Sequence, residues 1–251
     1  MKTLVQGFSL IELMIALTIG SFITVGAVSV YSTTRQANRI QGMQSRLSED
    51  GRFALSMLRR VVSQAGFRPT SSTDLDTTRL SSLSATSLTM KFIPDGANMI
   101  ACDGSVATGV VAVVPTISFD TGAKKLSCST TVGTVTTTTD WIAPVTGGNG
   151  TELISGVFEY GSDTSSVTTD SEFQCGSTTR DCVADSYSTT PTTPELVVAV
   201  RVCFVLRSEA VDAGVVQSAA TKDCAGSNIS GSDTDHKLYR TFRSTILVRN
   251  R

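Results

Sequence analysis

The sequence predicts an α+β chain, one long helix followed by a strand-rich remainder, and three observations carry that expectation. Residues 8–31 are an almost uncharged apolar run. Apolar and small residues then recur at three- and four-residue steps as far as Ala65. Beyond Pro69, Ser, Thr and Gly are abundant, long helical patterns stop, and short strand-like runs take over between polar loops.

The first element is "FSLIELMIALTIGSFITVGAVSVY", Phe8–Tyr31, which holds one charge, Glu12, and no proline. As a helix its 24 residues reach about 36 Å, enough to cross a hydrocarbon core of about 30 Å. A secretory signal would show a shorter apolar stretch and a small-residue cleavage site after it. Here the stretch is too long and no such site follows. Lys2 and the terminal amine precede it and Arg35 and Arg39 follow, so the positive-inside rule leaves orientation undecided. Gly20 and Gly26 give the helix freedom to bend. Ala16, Gly20 and Thr24 make a small-residue stripe suited to close helix packing in lipid.

The helix is expected to continue past the membrane. Ile40, Met43, Leu47, Gly51, Ala54, Leu58, Val61 and Ala65 place one apolar or small face along it, with Arg35, Arg39, Arg46, Arg52, Arg59 and Arg60 on the rest of the surface. Gly66 and then Pro69 are the stop signal. Strand-like runs follow at 87–93, 109–119, 152–161, 195–207 and 239–250. The fourth is the clearest: Leu196, Val198, Val200, Val202, Phe204 and Leu206 make one apolar face, with Arg201 and Arg207 opposite. "TTVGTVTTTTD" (130–140) and "GSDTSSVTTDSEFQ" (161–174) read as exposed loops.

Charge is unevenly spread. Residues 1–69 hold eight Lys/Arg against three Asp/Glu, whereas residues 70–251 hold thirteen against nineteen. The acidic second part argues against a broad nucleic-acid footprint. All six cysteines (Cys102, Cys128, Cys175, Cys182, Cys203 and Cys224) follow the apolar run. None forms a C-x-x-C pair, and one histidine, His236, does not complete a zinc set. An even count beyond a membrane span points to disulfides in an oxidising compartment, which places the carboxyl-terminal part outside the cytoplasm. Sequence neighbours are the favoured partners, Cys102–Cys128, Cys175–Cys182 and Cys203–Cys224, among about fifteen complete pairings.

Catalytic chemistry finds little support. Asp-Thr-Gly at 120–122 is the aspartic-protease tripeptide, and "GSDTSS" (161–166) supplies a nominal partner. That chemistry needs two carboxylates sharing one proton between similar lobes, and the surroundings of these two segments are not alike. The tripeptide is also an ordinary turn. No G-x-S-x-G elbow is present, and His236 reads as a solvated loop residue. Asp233 and Asp235 lack the ligand spacing of a calcium loop. The expectation is no enzyme, no catalytic residue, no cofactor and no metal.

"GFSLIELMIAL" (7–17) resembles the processing site of type IV prepilins. The resemblance implies a leader ending in Gly7, cleavage before Phe8, methylation of the new Phe8 amine, and an assembly role for Glu12, five residues into the mature chain. A carboxylate in lipid is costly, least so in the first turn of a helix, where the dipole favours it. In the pilin family the amine of a neighbouring subunit offsets what remains, so Glu12 reads as an assembly register device. Many pilins carry a proline where this chain has Ser29.

The blocks "LSEDGRFALSMLRRVVSQAGF" (47–67), "LISGVFEYGSD" (153–163), "VVAVRVCFVLRS" (197–208) and "FRSTILVRNR" (242–251) resemble PilW-like minor pilins of the type IV pilus. That implies a type IV pilin-like fold, the long helix packed on an antiparallel β-sheet with long loops. Its parts would be a leader (1–7), the transmembrane half of the helix (8–31), its amphipathic half and stop (32–69), and a β-rich periplasmic or extracellular domain (70–251). The implied function is to join other minor pilins in initiating pilus assembly at the filament tip, supporting twitching motility, adhesion or DNA uptake. The implied partners are other minor pilins, the major pilin, the prepilin peptidase, the inner-membrane assembly machinery and membrane lipid. The competing readings are a minor pseudopilin of a type II secretion system and, in another class, a tip adhesin or DNA-binding module using the 70–190 loops, whose ligand the sequence does not name.

Overall fold

The computed structural model describes residues 9–69, 79–109, 111–148, 150–164, 182–211, 213–214 and 216–248. The chain forms two compact units, residues 1–42 and 43–251. Helix α1, Leu10–Ser63, supplies the described part of the first unit and opens the second.

In the first unit every residue of α1 from Leu10 to Arg39 is exposed. The helix is continuous through Ser29, whose carbonyl accepts the Thr33 hydroxyl at 3.0 Å. The hydroxyls of Thr18, Ser21, Thr24, Thr33 and Thr34 turn back onto carbonyls three or four residues earlier, as Thr24 does onto Gly20 at 2.8 Å, so these groups are satisfied within the helix.

In the second unit the predicted apolar face is the buried one. Leu47, Gly51, Ala54, Met57, Leu58, Val61 and Val62 turn inward because three- and four-residue steps keep them on one side of the cylinder. The stop works as expected: Gly66 has φ 77°, a left-handed conformation that suits glycine, and its amide donates to the Lys91 carbonyl at 2.9 Å.

The remainder is two antiparallel sheets, where a single sheet was expected. Sheet I runs in the order β1 (Leu80–Leu83), β2 (Ser87–Met90), β3 (Val113–Asp120), β4 (Lys125–Val132) and β5 (Val135–Ile142). Sheet II runs β7 (Ser186–Ser188), β6 (Thr151–Ser162), β8 (Val197–Ser208) and β9 (Tyr239–Leu247). All five predicted runs contain a strand. The segment 130–140, expected to be a loop, is instead the hairpin of β4 and β5, with Val132 paired to Val135 and Thr130 to Thr137. Threonine is β-branched and pairs well across strands, as the hydroxyl contacts Ser129–Thr138 (2.8 Å) and Thr131–Thr136 (2.9 Å) show. Polarity hid the strand; shape made it.

One core joins the inner faces of both sheets to the buried side of α1, with Leu88, Ile117, Leu126, Phe158, Phe204 and Leu58 among its members. Aromatic rings run through the core: Phe119 of sheet I stacks on Phe158 of sheet II at 4.6 Å, and within sheet II Phe204 stacks on its cross-strand neighbour Phe242 at 5.3 Å between centroids. Both ends of this ridge rest on glycine. A Cβ at Gly51 would lie 2.0 Å from Phe242, and one at Gly156 2.3 Å from Phe119, so these rings fit only because no side chain stands beneath them. The β1–β2 turn is held against sheet II by Tyr160, whose hydroxyl lies 2.9 Å from both the Ser84 and the Ser87 carbonyls.

The other face of sheet II is covered too. Cys224 is disulfide-bonded to Cys203 on β8, and the Cys224 amide donates to the Ser155 hydroxyl on β6 at 3.3 Å. Strand β8 is therefore buried on both sides, with Val202, Phe204 and Leu206 on one face and Val205 on the other all at 0 % exposure.

Candidate assembly site

Helix α1 begins where Ser9 gives way to Leu10. The first amides of a helix have no partner within it. Here the Ser9 amide donates to Oε2 of Glu12 at 3.0 Å, and the Leu13 amide donates to the Ser9 carbonyl at 3.2 Å. Ser9-Leu10-Ile11-Glu12 is the Ser-x-x-Glu spacing of a capping box, and the Glu12 contact is one half of it. The spacing was readable in the sequence, but a reading of Glu12 as an intersubunit group passed over it. Glu12 is thus an acceptor for its own helix end and, being exposed, is also within reach of a cation brought by another molecule. Gly7 and Phe8 lie outside the described residues.

Above Glu12 the helix presents Leu10, Ile11, Leu13, Met14, Ile15 and Leu17, between 53 % and 76 % exposed. Among the described residues, nothing beyond the neighbouring residues and backbone of the helix itself lies within 4 Å of a Cβ built at Gly20 or Gly26. The stretch is long and apolar enough to cross a membrane. Its surface suits lipid or another apolar helix, and water poorly.

Among the described residues the second unit is braced by crosslinks and by a partly buried ion cluster. Cys102 is bonded to Cys128 and Cys203 to Cys224. Cys182 is disulfide-bonded, while Cys175 lies outside the described residues. Glu152 on β6, with 6 % of its side chain exposed, meets Lys124 at 2.8 Å, Lys237 at 3.5 Å and Arg207 through two guanidinium nitrogens. Arg207 also reaches Asp235 at 3.3 Å, and Asp235 accepts the Tyr239 hydroxyl at 2.5 Å. Burial alone would raise the pKa of Glu152, but the hydrogen bonds from Lys124 and Arg207 and the charge of Lys237 outweigh it and hold the carboxyl below its usual range. This cluster ties the β3–β4 turn and the segment before β9 to sheet II. Residues from four distant parts of the chain build it, so no local motif announced it.

Several residues weighed as chemistry have structural roles. Asp120 ends β3, and its carboxylate accepts the Ala123 amide at 2.8 Å in a turn. Asp235 belongs to the ion cluster just described. His236, expected in solvent, is half-buried, and its Nδ1 lies 2.9 Å from the Val216 carbonyl. Loop composition did not reveal that the segment folds back on a sheet. Other buried polar side chains include Gln64, which the sequence did not mark out, and Asp163, the carboxylate of the 161–166 segment weighed as a protease partner. Gln64 bonds the Ile100 amide (2.5 Å) and carbonyl (3.0 Å). Asp163 accepts the Cys182 amide at 3.1 Å.

Residues 118–250 match the family model of the type IV pilus-assembly protein W, and residues 3–28 match the prokaryotic N-terminal methylation motif. Comparison with curated proteins finds no match. Among solved structures, a type IV-like pilin from Thermus thermophilus is similar over 82 % of this chain and 98 % of its own, at 14 % identity and a TM-score of 0.45. With more than half of its length matched by that family model, and the methylation motif at its amino terminus, the chain belongs to the PilW family of type IV pilus-assembly proteins.

Proposed function

We propose that this chain is a minor pilin that joins other minor pilins to initiate type IV pilus assembly and occupies the filament tip. The observation that carries the reading is the apolar helix Leu10–Tyr31, exposed along its whole length, in a member of a pilus-assembly family. A surface of that kind needs lipid before assembly and other subunits after it. Before assembly the protein is a single-pass inner-membrane protein with residues 70–251 in the periplasm. The prepilin peptidase removes residues 1–7, the Phe8 amine is methylated, and Glu12 takes the amine of a neighbouring subunit as its register contact. The other minor pilins, the major pilin and the inner-membrane assembly machinery are its partners, and twitching, adhesion or DNA uptake follow from the filaments it starts. Its role is structural.

Deletion of the gene is the test. The expected result is few surface pili, an inner membrane still full of major pilin, and restoration by the intact chain. In wild-type cells, sheared filaments should contain this chain at a small fraction of the major pilin. Normal pili with an export defect would show a pseudopilin instead. Normal pili that fail only to attach would show an adhesin. A near-equal ratio to the major pilin throughout purified filaments would sink the minor-subunit reading.

A further inference from the structure

The end of β6 carries a buried carboxylate that the fold leaves half satisfied. Asp163 follows Ser162, the last residue of β6, and is 0 % exposed. Its amide donates to the Leu196 carbonyl at 2.9 Å, and its Oδ2 accepts the Cys182 amide at 3.1 Å. Its Oδ1 is buried with no hydrogen-bond partner, and no ion pair among the described residues includes this side chain. A carboxylate oxygen taken out of water is strongly disfavoured unless a donor or a cation faces it. Segment 182–187 lies close over this strand end. The Asp185 amide donates to the Ser162 carbonyl at 3.0 Å, and Ser186 pairs with Ser162. A Cβ on Gly161 would stand 2.7 Å from that of Ala184. Asp185 brings a second carboxylate, which is exposed, and its Oδ2 accepts the amide (2.7 Å) and the hydroxyl (3.2 Å) of Thr164. Each aspartate thus reaches the other's stretch of chain, Asp163 from the interior and Asp185 from the surface.

We infer that Asp163 and Asp185 hold a calcium ion that fastens segment 182–185 to the end of β6. Oδ1 of Asp163 is its inner ligand and the Asp185 carboxylate its outer one, so the ion is taken up from the surface. The donor set selects its class. Both groups are hard oxygen donors, and Cys182, being disulfide-bonded, offers no thiolate to compete. Two carboxylates match the charge of a divalent ion, and carbonyls and water complete the shell. Magnesium dehydrates reluctantly and demands a near-octahedral shell, whereas calcium accepts an irregular one. A fully covered oxygen reaches only an ion that has shed its water on that side. No ligand spacing marked the pair in the sequence, where no metal was expected, because the two aspartates meet only once β6 and β7 have paired. This site and the minor-pilin reading do not depend on each other.

The test titrates calcium chloride into the full-length chain in detergent, stripped beforehand with a chelator. Calorimetry reads binding, and thermal unfolding is followed through Trp141. The expected result is one ion per chain with a Kd of about 0.1–1 mM, the range of extracellular calcium modules. The melting temperature should rise by several degrees at saturation. Asp163→Asn and Asp185→Asn should each weaken binding by about tenfold or more and remove that rise. In chelator, Asp163→Asn should melt no lower than the wild type, because its amide oxygen still accepts the Cys182 amide and the buried charge is gone. A purely structural aspartate predicts the same loss with and without calcium, and that result overturns the inference. Asp185 is exposed, so Asp185→Asn reads binding in a folded chain whatever Asp163→Asn does to folding. Asp233→Asn, at an exposed carboxylate elsewhere, should bind calcium as the wild type does. Absence of calcium binding, an equal response to magnesium chloride, or binding indifferent to both Asp163→Asn and Asp185→Asn overturns the site and leaves the minor-pilin reading untouched.

Discussion

The two halves of α1 share one backbone conformation and little else. From Leu10 to Arg39 no residue is buried, although most of the side chains as far as Tyr31 are apolar. From Leu47 to Val62 most of the apolar residues are sorted onto one face, where Leu47, Ala54, Met57, Leu58, Val61 and Val62 lie at or near 0 % exposure, while the arginines and Phe53 stand outside. The first half has its apolar surface all round, which no single sheet could cover. The second half carries its own complement, because two sheets of the same chain meet its inner face. One half needs surroundings; the other brings them.

The same substitution made in each half is the widest separation of the two. Leu58→Ala should cost the second unit about 3 kcal/mol, as expected for emptying a fully buried leucine site. Leu17→Ala, at a position 66 % exposed, should leave the stability of that unit unchanged. Urea unfolding of the full-length chain in detergent would read this through Trp141. It is the only tryptophan, 6 % exposed, with its Nε1 donating to the Cys102 carbonyl at 2.7 Å. Equal losses in both variants would abolish the distinction between the halves.

Acid should weaken the second half's platform alone. Glu152 has a folded pKa below its unfolded value, near 4.5. Its contribution is therefore complete above about that pH and is lost as the pH falls through the folded value. Glu152→Gln leaves Arg207 and Lys237 short of a charged acceptor and should cost about 2 kcal/mol at neutral pH. It should also flatten the acid limb of the stability profile. A variant with the wild-type acid limb would show that the cluster contributes nothing to pH dependence.

How much of this was legible in the sequence depended on how local the cause was. The helix, its inner face and its stop at Gly66 follow from spacing alone, and so does one apolar face of β8, whereas the burial of Val205 on its other face was hidden by Arg201 and Arg207. The β4–β5 hairpin was obscured because Thr136, Thr137 and Thr138 look like loop by polarity and like strand by shape. Glu152 gave no warning, since Lys124, Arg207 and Lys237 reach it only after the sheets form. Ser9–Glu12 was the opposite case, a local signal overlooked in favour of a more distant role.

Gly51 tests the fit between the second half and the sheet with a smaller change. Gly51→Ala improves helix propensity by up to about 1 kcal/mol, but its Cβ meets a ring that is itself packed on Phe204. Overpacking of that kind costs about 1–3 kcal/mol. The expected net result is a loss of about 1 kcal/mol. Gly20→Ala and Gly26→Ala, with open space around them, should leave the second unit untouched. A stabilised Gly51→Ala would mean that the Phe242 ring has somewhere else to go.

The smallest effect on stability should come from Glu12→Ala, and there the comparison is sharpest. Removing the carboxylate deletes the acceptor of the Ser9 amide, at a cost to the isolated helix of about 1 kcal/mol. It also removes a charge that lipid disfavours, so membrane insertion should be unchanged or slightly improved. Unfolding of the second unit, monitored at Trp141, should be identical to wild type. On the assembly role proposed for Glu12, recruitment by other pilins should nevertheless fall, because the cation proposed to come from a neighbouring subunit would lose its counter-charge. Glu12→Gln separates the two roles of the side chain: its amide oxygen still accepts the Ser9 amide, but the charge is gone. If the capping contact is what assembly needs, Glu12→Gln should assemble like wild type. If the charge is what matters, it should fail as Glu12→Ala does, and co-purification of partner pilins from the membrane distinguishes the two. Normal recruitment by both variants would leave Glu12 with no part in assembly, and the first half of α1 would then be an anchor only.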